Sequence, residues 1–219
     1  AHHWHDYAEL VAGHGARMPD PDRDLNSPIK IVYTSGTTGR PKGAVLTQEA
    51  IFFNAVNSTA IFEMTSRDHV FTCLPMFHVG GMNIQTTPAI HAGATITMHR
   101  RFDLDLFFRD FAARRPTLFL AVPAVGGVIL ADPRFQELDL SCLKCACTGS
   151  STVPEALISP WLNRGIPVTQ VYGMTESCPV AIALSIDDAY KKVGSTGKPV
   201  AHCEARIVGE GGEDLPPGR

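Results

Sequence analysis

Four short stretches of this chain carry residue types that could do chemistry together. The first is Thr34-Ser35-Gly36-Thr37-Thr38-Gly39-Arg40-Pro41-Lys42-Gly43. A loop of hydroxyls and glycines can wrap an anion: glycine lets the backbone come close, hydroxyls and backbone N–H groups donate hydrogen bonds, and Lys42 adds a point charge. It is not the usual P-loop, because no Gly-Lys-Ser/Thr stands at the required spacing. A polar surface turn would use the same residues, so the loop alone leaves both readings open. The second stretch is Tyr172-Gly173-Met174-Thr175-Glu176. Tyr172 offers a flat face for a planar base, Gly173 lets a ligand lie close, and Thr175 can donate to a phosphate oxygen. Glu176 offers the hard carboxylate that magnesium prefers. A structural strand end is the competing reading. The third is His78, after Leu74-Pro75-Met76-Phe77, where a lone histidine also fits a structural role. The fourth is Gly149-Ser150-Ser151-Thr152, which could instead turn the chain and cap the next helix.

Regular elements must hold these stretches. A short helix is expected near Tyr7 to Ala12, then a linker through Pro19-Asp20-Pro21-Asp22. The β-branched run from Ile29 to Thr34 reads as a buried strand entering the first loop. Ala44-Val45-Leu46 is a second short strand, and Thr47 caps a helix with Glu49 in its first turn. Ile51, Phe52, Ala55 and Phe62 supply that helix's buried face. βα units then alternate: strands over 69–74, 94–99, 117–122, 143–147 and 168–172, and helices over 80–91, 103–114, after Pro123, and over 153–163. Pro88 must kink or restart its helix. Leu104, Phe107, Phe108 and Phe111 have the helical spacing of a core stripe. Thr152-Val153-Pro154-Glu155 reads as a capping box. Residues 204–208 alternate like a solvated strand before a turn at 210–212. Lys198, in Gly197-Lys198-Pro199, reads as a surface turn. The fold class is α/β, a largely parallel sheet with helices on both faces. In such sheets ligands sit outside the carboxyl ends of the strands, where three of the four stretches fall.

Composition removes several classes. The chain has 219 residues, 44% of them hydrophobic, and a formal net charge of −3. That suits one globular domain with a sizeable core and gives no support for nucleic-acid binding. No apolar run is long enough to span a membrane; the segment from Leu118 to Leu130 is broken by Pro123, Gly126 and Gly127. Of six cysteines, Cys142, Cys145 and Cys147 lie close together. No second cluster completes a zinc site, so buried free thiols and a reduced, cytoplasmic setting are expected. His2, His3 and His5 read as a solvated end.

The first stretch resembles the phosphate loop of the adenylate-forming, AMP-binding superfamily: acyl- and aryl-CoA synthetases, luciferases and the adenylation domains of peptide synthetases. Leu74-Pro75-Met76-Phe77-His78-Val79-Gly80-Gly81 and Gln170-Val171-Tyr172-Gly173-Met174-Thr175-Glu176 follow in the family's order. The likeness is nearest to bacterial fatty-acyl-CoA synthetases. It implies ATP, Mg²⁺ and coenzyme A, with a medium- to long-chain fatty acid as the other substrate. The matching residues imply ATP contacts from Thr34, Ser35, Gly36, Thr37, Thr38, Gly39 and Lys42, from Ser150, Ser151 and Thr152, and from Gln170, Tyr172, Gly173, Met174 and Thr175. They imply an acyl pocket at His78, Gly149 and Gly173, a metal at Glu176, and catalytic roles for Lys42, Thr175 and Glu176. The family commonly has Gly-Gly-Ala-Pro where this chain has Gly149-Ser150-Ser151-Thr152, which narrows the acyl entrance. Acetate-specific relatives carry tryptophan at the position matching Gly173, so glycine implies room for longer acids.

The resemblance also implies more chain: a long preceding region, a ribose-binding aspartate in a Thr-Gly-Asp-like motif, and a small mobile lid domain with a lysine. The expected organisation is therefore a linker over 1–28, a nucleotide- and acyl-binding core over 29–199, and the start of a further β subdomain over 200–219. Such a core is expected to bind ATP weakly, to form little acyl-adenylate and to self-associate, as a homodimer or otherwise, through a cut sheet edge. Three other functions stay open: an adenylating enzyme for an aryl or other acid, or a luciferase-like oxygenase; a non-catalytic nucleotide-binding module; and a structural or interaction domain with no ligand.

Overall fold

The computed structural model describes residues 6–12, 24–35, 39–216 and 218. Helix α1 (Tyr7–Ala12) precedes a hairpin of β1 (Pro28–Thr34) and β2 (Lys42–Thr47). The two strands pair antiparallel, Thr34 opposite Lys42, as a two-stranded sheet of their own. This corrects the expectation of a buried strand. β1 alternates, and Ile29, Ile31 and Tyr33 face outward at 48%, 59% and 73% exposure. A β-branched run has the same text whether one face or both are covered.

Thr47 caps α2 (Gln48–Ile61), its hydroxyl accepting from Ala50 N at 3.2 Å. Ala55 and Phe62 are buried as expected, but Phe52 is not. The buried face of α2 is largely polar instead. Asn54 donates to Asn83 O (2.7 Å) and accepts from Val180 N (3.2 Å), and Asn57 accepts from His202 N (3.1 Å). These amides tie α2 to neighbouring backbone, which is how buried polar groups are tolerated.

A seven-stranded sheet follows: β3 (His69–Thr72), β4 (Thr95–Met98), β5 (Leu118–Leu120), β6 (Cys145–Gly149), β7 (Val168–Gly173), β8 (Val180–Ala183) and β9 (Lys198–Pro199), in the order β4-β3-β5-β6-β7-β8-β9. The first five are parallel, and β8 and β9 add antiparallel. Strand alternation divides the core between the two faces. Phe71, Phe119 and Ala146 join Phe107, Phe111 and Trp161 on one. Val70, Leu118, Leu120, Cys145 and Cys147 join Phe62 and Val171 on the other. The aromatic stripe on α5 (Leu104–Arg114) is core, capped by Asp103, which accepts from Leu106 N.

The segment after β3 runs through α3 (Val79–Gly81), a π-turn (Met82–Thr86) and α4 (Thr87–Ala92). Pro88 cannot donate, and its ring crowds the preceding turn. The chain widens just before it, and Thr86 and Thr87 hydroxyls donate to Gly81 O (2.7 Å) and Met82 O (2.9 Å). α6 (Pro123–Ala131) and α7 (Arg134–Glu137) precede β6. The helix expected over 153–163 is only a 3₁₀ turn (Glu155–Leu157) and α8 (Ser159–Asn163), and Thr152 makes no cap. Two prolines, Pro154 and Pro160, remove donors where a longer helix would need them. The expected tail strand is a single bridge, Val208 to Asp214.

Candidate active site

Strands β3, β6 and β7 run parallel, so the segments that follow them emerge at one edge of the sheet. Two cavities lie there, of about 300 Å³ and about 390 Å³, divided by Ser150, Val171, Tyr172 and Gly173, which line both. Thr34, His78, Thr175 and Glu176 complete the polar wall of the first, with Met174 beside them. Gly149, Ser151, Thr152 and Gln170 contribute to the second. Residues from four distant parts of the sequence are thus brought together.

Each is held by a local device. His78 is the N-cap of α3: its Nδ1 accepts from Gly80 N at 3.0 Å. That bond places the proton of the neutral ring on Nε2, as a donor. Beyond Tyr172, a 3₁₀ turn (Thr175–Ser177) carries Thr175 and Glu176. Ser177 Oγ accepts from Met174 N (3.0 Å) and donates to Pro179 O (2.6 Å), pinning the turn at both ends. Ser150 sits at φ +71°. That left-handed conformation disfavours every side chain, and it is the place where glycine is common in the resembled family. Glu176 is exposed, with no cation paired to it among the described residues. A single free carboxylate at the rim suits magnesium, which keeps most of its waters and takes phosphate oxygens as further ligands.

Other expected residues stand elsewhere. Lys42, in β2, is exposed and lines neither cavity, and the same holds for Ser35 and Gly39 in the loop before it; Gly36, Thr37 and Thr38 lie outside the described residues. Gln170 borders the second cavity, but it is buried and its amide nitrogen is committed to Ser195 O at 3.0 Å, so it positions a loop. Lys198 is exposed, 4.0 Å from Asp188. Cys145 and Cys147 are buried and Cys142 is exposed; among the described residues no three metal-ligating side chains gather. Sequence reading missed Ser177 and the walls supplied by Val79, Ile84, Pro179 and Val180. It also missed Gly194 and Thr196 beside the second cavity. No helix among the described residues is long and apolar enough to cross a membrane.

The architecture is that of an α/β domain with its ligand cavities at the carboxyl ends of parallel strands. The chain belongs to the AMP-binding enzyme family, whose profile matches residues 3–219. It is 47% identical over 216 residues to an indoleacetate–CoA ligase of Aromatoleum aromaticum, covering 98% of this chain and 42% of that protein. It is 33% identical to a feruloyl-CoA synthase of an Amycolatopsis species, covering 99% and 46%. The chain therefore spans less than half the length of these relatives. Its fold superposes on the N-terminal domain of FACL13 from Mycobacterium tuberculosis with TM-score 0.84 at 31% identity, covering 95% of this chain and 52% of that one. It also matches o-succinylbenzoate coenzyme A synthetase of Bacillus subtilis in complex with ATP and magnesium, with TM-score 0.82 at 28% identity, covering 96% and 44%.

Proposed function

We propose that this chain forms the nucleotide- and acid-binding core of an acid–CoA ligase that activates an aromatic carboxylic acid. The fatty acid first expected is set aside. The observation that carries the reading is that 98% of the chain, with every wall of both cavities inside it, is 47% identical to a protein named for indoleacetate. In the first step a carboxylate oxygen attacks the α-phosphorus of ATP, and pyrophosphate leaves. In the second, the thiol of coenzyme A attacks the acyl carbon, and AMP leaves. An aryl carboxylate is already ionised at neutral pH, so no general base is needed. The residues here position and neutralise charge. Tyr172 stacks the base, Thr175 and Ser150 donate to the phosphate, and His78 donates through Nε2 to the incoming carboxylate. Magnesium bound at Glu176 would offset phosphate charge, and Lys42 would approach from the hairpin with its loop. The test is ATP–pyrophosphate exchange by the full-length protein with indoleacetate, phenylacetate and ferulate beside octanoate and palmitate. Exchange should be faster with the aryl acids by roughly ten-fold or more, the discrimination a shaped apolar pocket can supply. Preference for octanoate would end the aromatic reading.

A further inference from the structure

Lys30 points the wrong way for a lysine on a surface hairpin. On β1 the outward positions are Ile29, Ile31 and Tyr33, while Lys30 turns toward the body of the domain with Val32. Its ammonium lies against Met82 Sδ and 2.9 Å from Asn83 Oδ1, on the π-turn. Asn83 is fully buried and already engaged: its Nδ2 faces Cys178 O at 3.4 Å, and its backbone carbonyl accepts from Asn54 Nδ2. Among the described residues no carboxylate lies within ion-pair distance of Lys30. Burial lowers its pKa, and the buried Cys178 thiol nearby opposes that only in part. A half-buried cation served by neutral acceptors alone is costly and is more stable beside an anion.

Lys30 also lines a cavity of about 240 Å³ whose other walls are mostly apolar, among them Val32, Phe77, Val79 and Met82. His78 and Val79 are shared between this cavity and the one at Tyr172–Glu176. Neither Lys30 nor Met82 reaches that first cavity, and no residue of 171–180 reaches this one. Resting on the reading above, the reacting carboxylate must lie on the Thr175 side of His78, beside the phosphate. Whatever pairs with Lys30 is on the far side, at the other end of the acid.

We propose that Lys30 determines substrate specificity, and that the acid activated here carries a second anionic or strongly accepting group beyond its ring, which the Lys30 ammonium holds in the cavity beneath the hairpin. The apolar walls take the ring, and the cation takes the distal group. No bond is made or broken in this contact.

The probes are two arylacetyl sulfamoyl-adenosines, one with a carboxylate on the ring opposite the acetyl arm and one with a methyl group there. Their affinities are measured by calorimetry for the full-length wild-type protein and its Lys30→Met and Lys30→Arg variants, with melting curves to establish folding. The carboxylated probe should bind the wild type roughly ten-fold or more tighter, the scale of one charge-assisted hydrogen bond. Lys30→Met should erase that gap while leaving the methyl probe within about two-fold, and Lys30→Arg should keep part of it. Equal wild-type affinities, or a gap that survives Lys30→Met, would overturn the role of Lys30 and leave the adenylating reading standing. Binding of neither probe by the folded full-length wild-type protein would overturn both.

Discussion

The carbonyl oxygen of Pro179 lies 1.5 Å from where a Cβ on residue 173 would stand, so Gly173 is glycine because the backbone that follows folds back onto it. Gly173 pairs with Val180 across a register shift between β7 and β8, and this fold-back sets the turn carrying Thr175 and Glu176. That close approach by itself demands glycine at this position. Gly173→Trp, the substitution that acetate-specific relatives bring to mind, would displace the turn before it filled any acyl space. Even Gly173→Ala should destabilise the fold by about 3 kcal/mol, the upper end for overpacking a tight site. Urea denaturation reads this directly, and an unchanged midpoint would show that the turn can yield.

Ser150 gives the opposite expectation. Its φ of +71° costs a side chain about 1 kcal/mol or more, and glycine would relieve that at some cost in unfolded-state entropy. Ser150→Gly should raise stability by about 0.5 kcal/mol. The same change removes a hydroxyl that borders both cavities, so nucleotide affinity should fall by a few-fold. A melting temperature that drops in Ser150→Gly would remove the strain argument, and unchanged nucleotide affinity would remove the contact.

These two positions mark where sequence reading reached its limit. The order of βα units, the Thr47 cap and the Phe107–Phe108–Phe111 stripe were legible because each is a local pattern with a physical cause close in sequence. The residues at the strand ends were legible too, since parallel strands carry them to one edge. The reason for Gly173 was not, because it depends on a carbonyl six residues away in a turn with no regular period. Ser177 had no signal, since a serine that pins a turn looks like any loop serine. Lys30 stood inside an apolar run, and only the pairing of β1 with β2 decides which face it takes.

Asp68 anchors the edge of the sheet opposite the cavities. Its carboxylate is 5% exposed and accepts from Thr65 N (2.7 Å), Thr117 Oγ1 (2.7 Å) and Lys144 Nζ (3.0 Å). Burial alone would push its pKa up. The hydrogen bonds from Thr117, Lys144 and Thr65, with the Lys144 charge, outweigh burial and hold it below the usual carboxylate range. A depressed carboxyl contributes stability that is complete above its unfolded pKa of about 3.9 and is lost as pH falls through the lower folded value. The fold should therefore weaken as the medium is acidified below about pH 4. Asp68→Asn should cost on the order of 3 kcal/mol at neutral pH by leaving Lys144 unpaired. It should also make the acid slope shallower without abolishing it. Asp110 and Asp132, brought down to about 2 chiefly by hydrogen bonds from Arg109 and Arg134, still titrate there. Denaturation midpoints from pH 7 to pH 2 test this, and an acid slope identical in both proteins would remove Asp68 from the account.

Glu176 and Lys42 separate two ways of holding a triphosphate. Both side chains are exposed, so Glu176→Gln and Lys42→Ala should each leave stability within about 0.5 kcal/mol. Their effects on ATP should differ in kind. If Glu176 contributes a magnesium ligand, wild-type affinity for ATP rises with added magnesium, and Glu176→Gln flattens that dependence while affecting metal-free ATP little. Lys42 would act as a cation on the phosphates themselves, so Lys42→Ala should weaken ATP binding with or without the metal. Its loss should also make the affinity less sensitive to salt, because one screened charge has been removed. Titrations of ATP at several magnesium and salt concentrations distinguish the two. A Glu176→Gln protein with the wild-type magnesium response would move the metal away from this turn. A Lys42→Ala protein with wild-type affinity throughout would leave the hairpin lysine where the structure has it, paired across from Thr34 and outside both cavities.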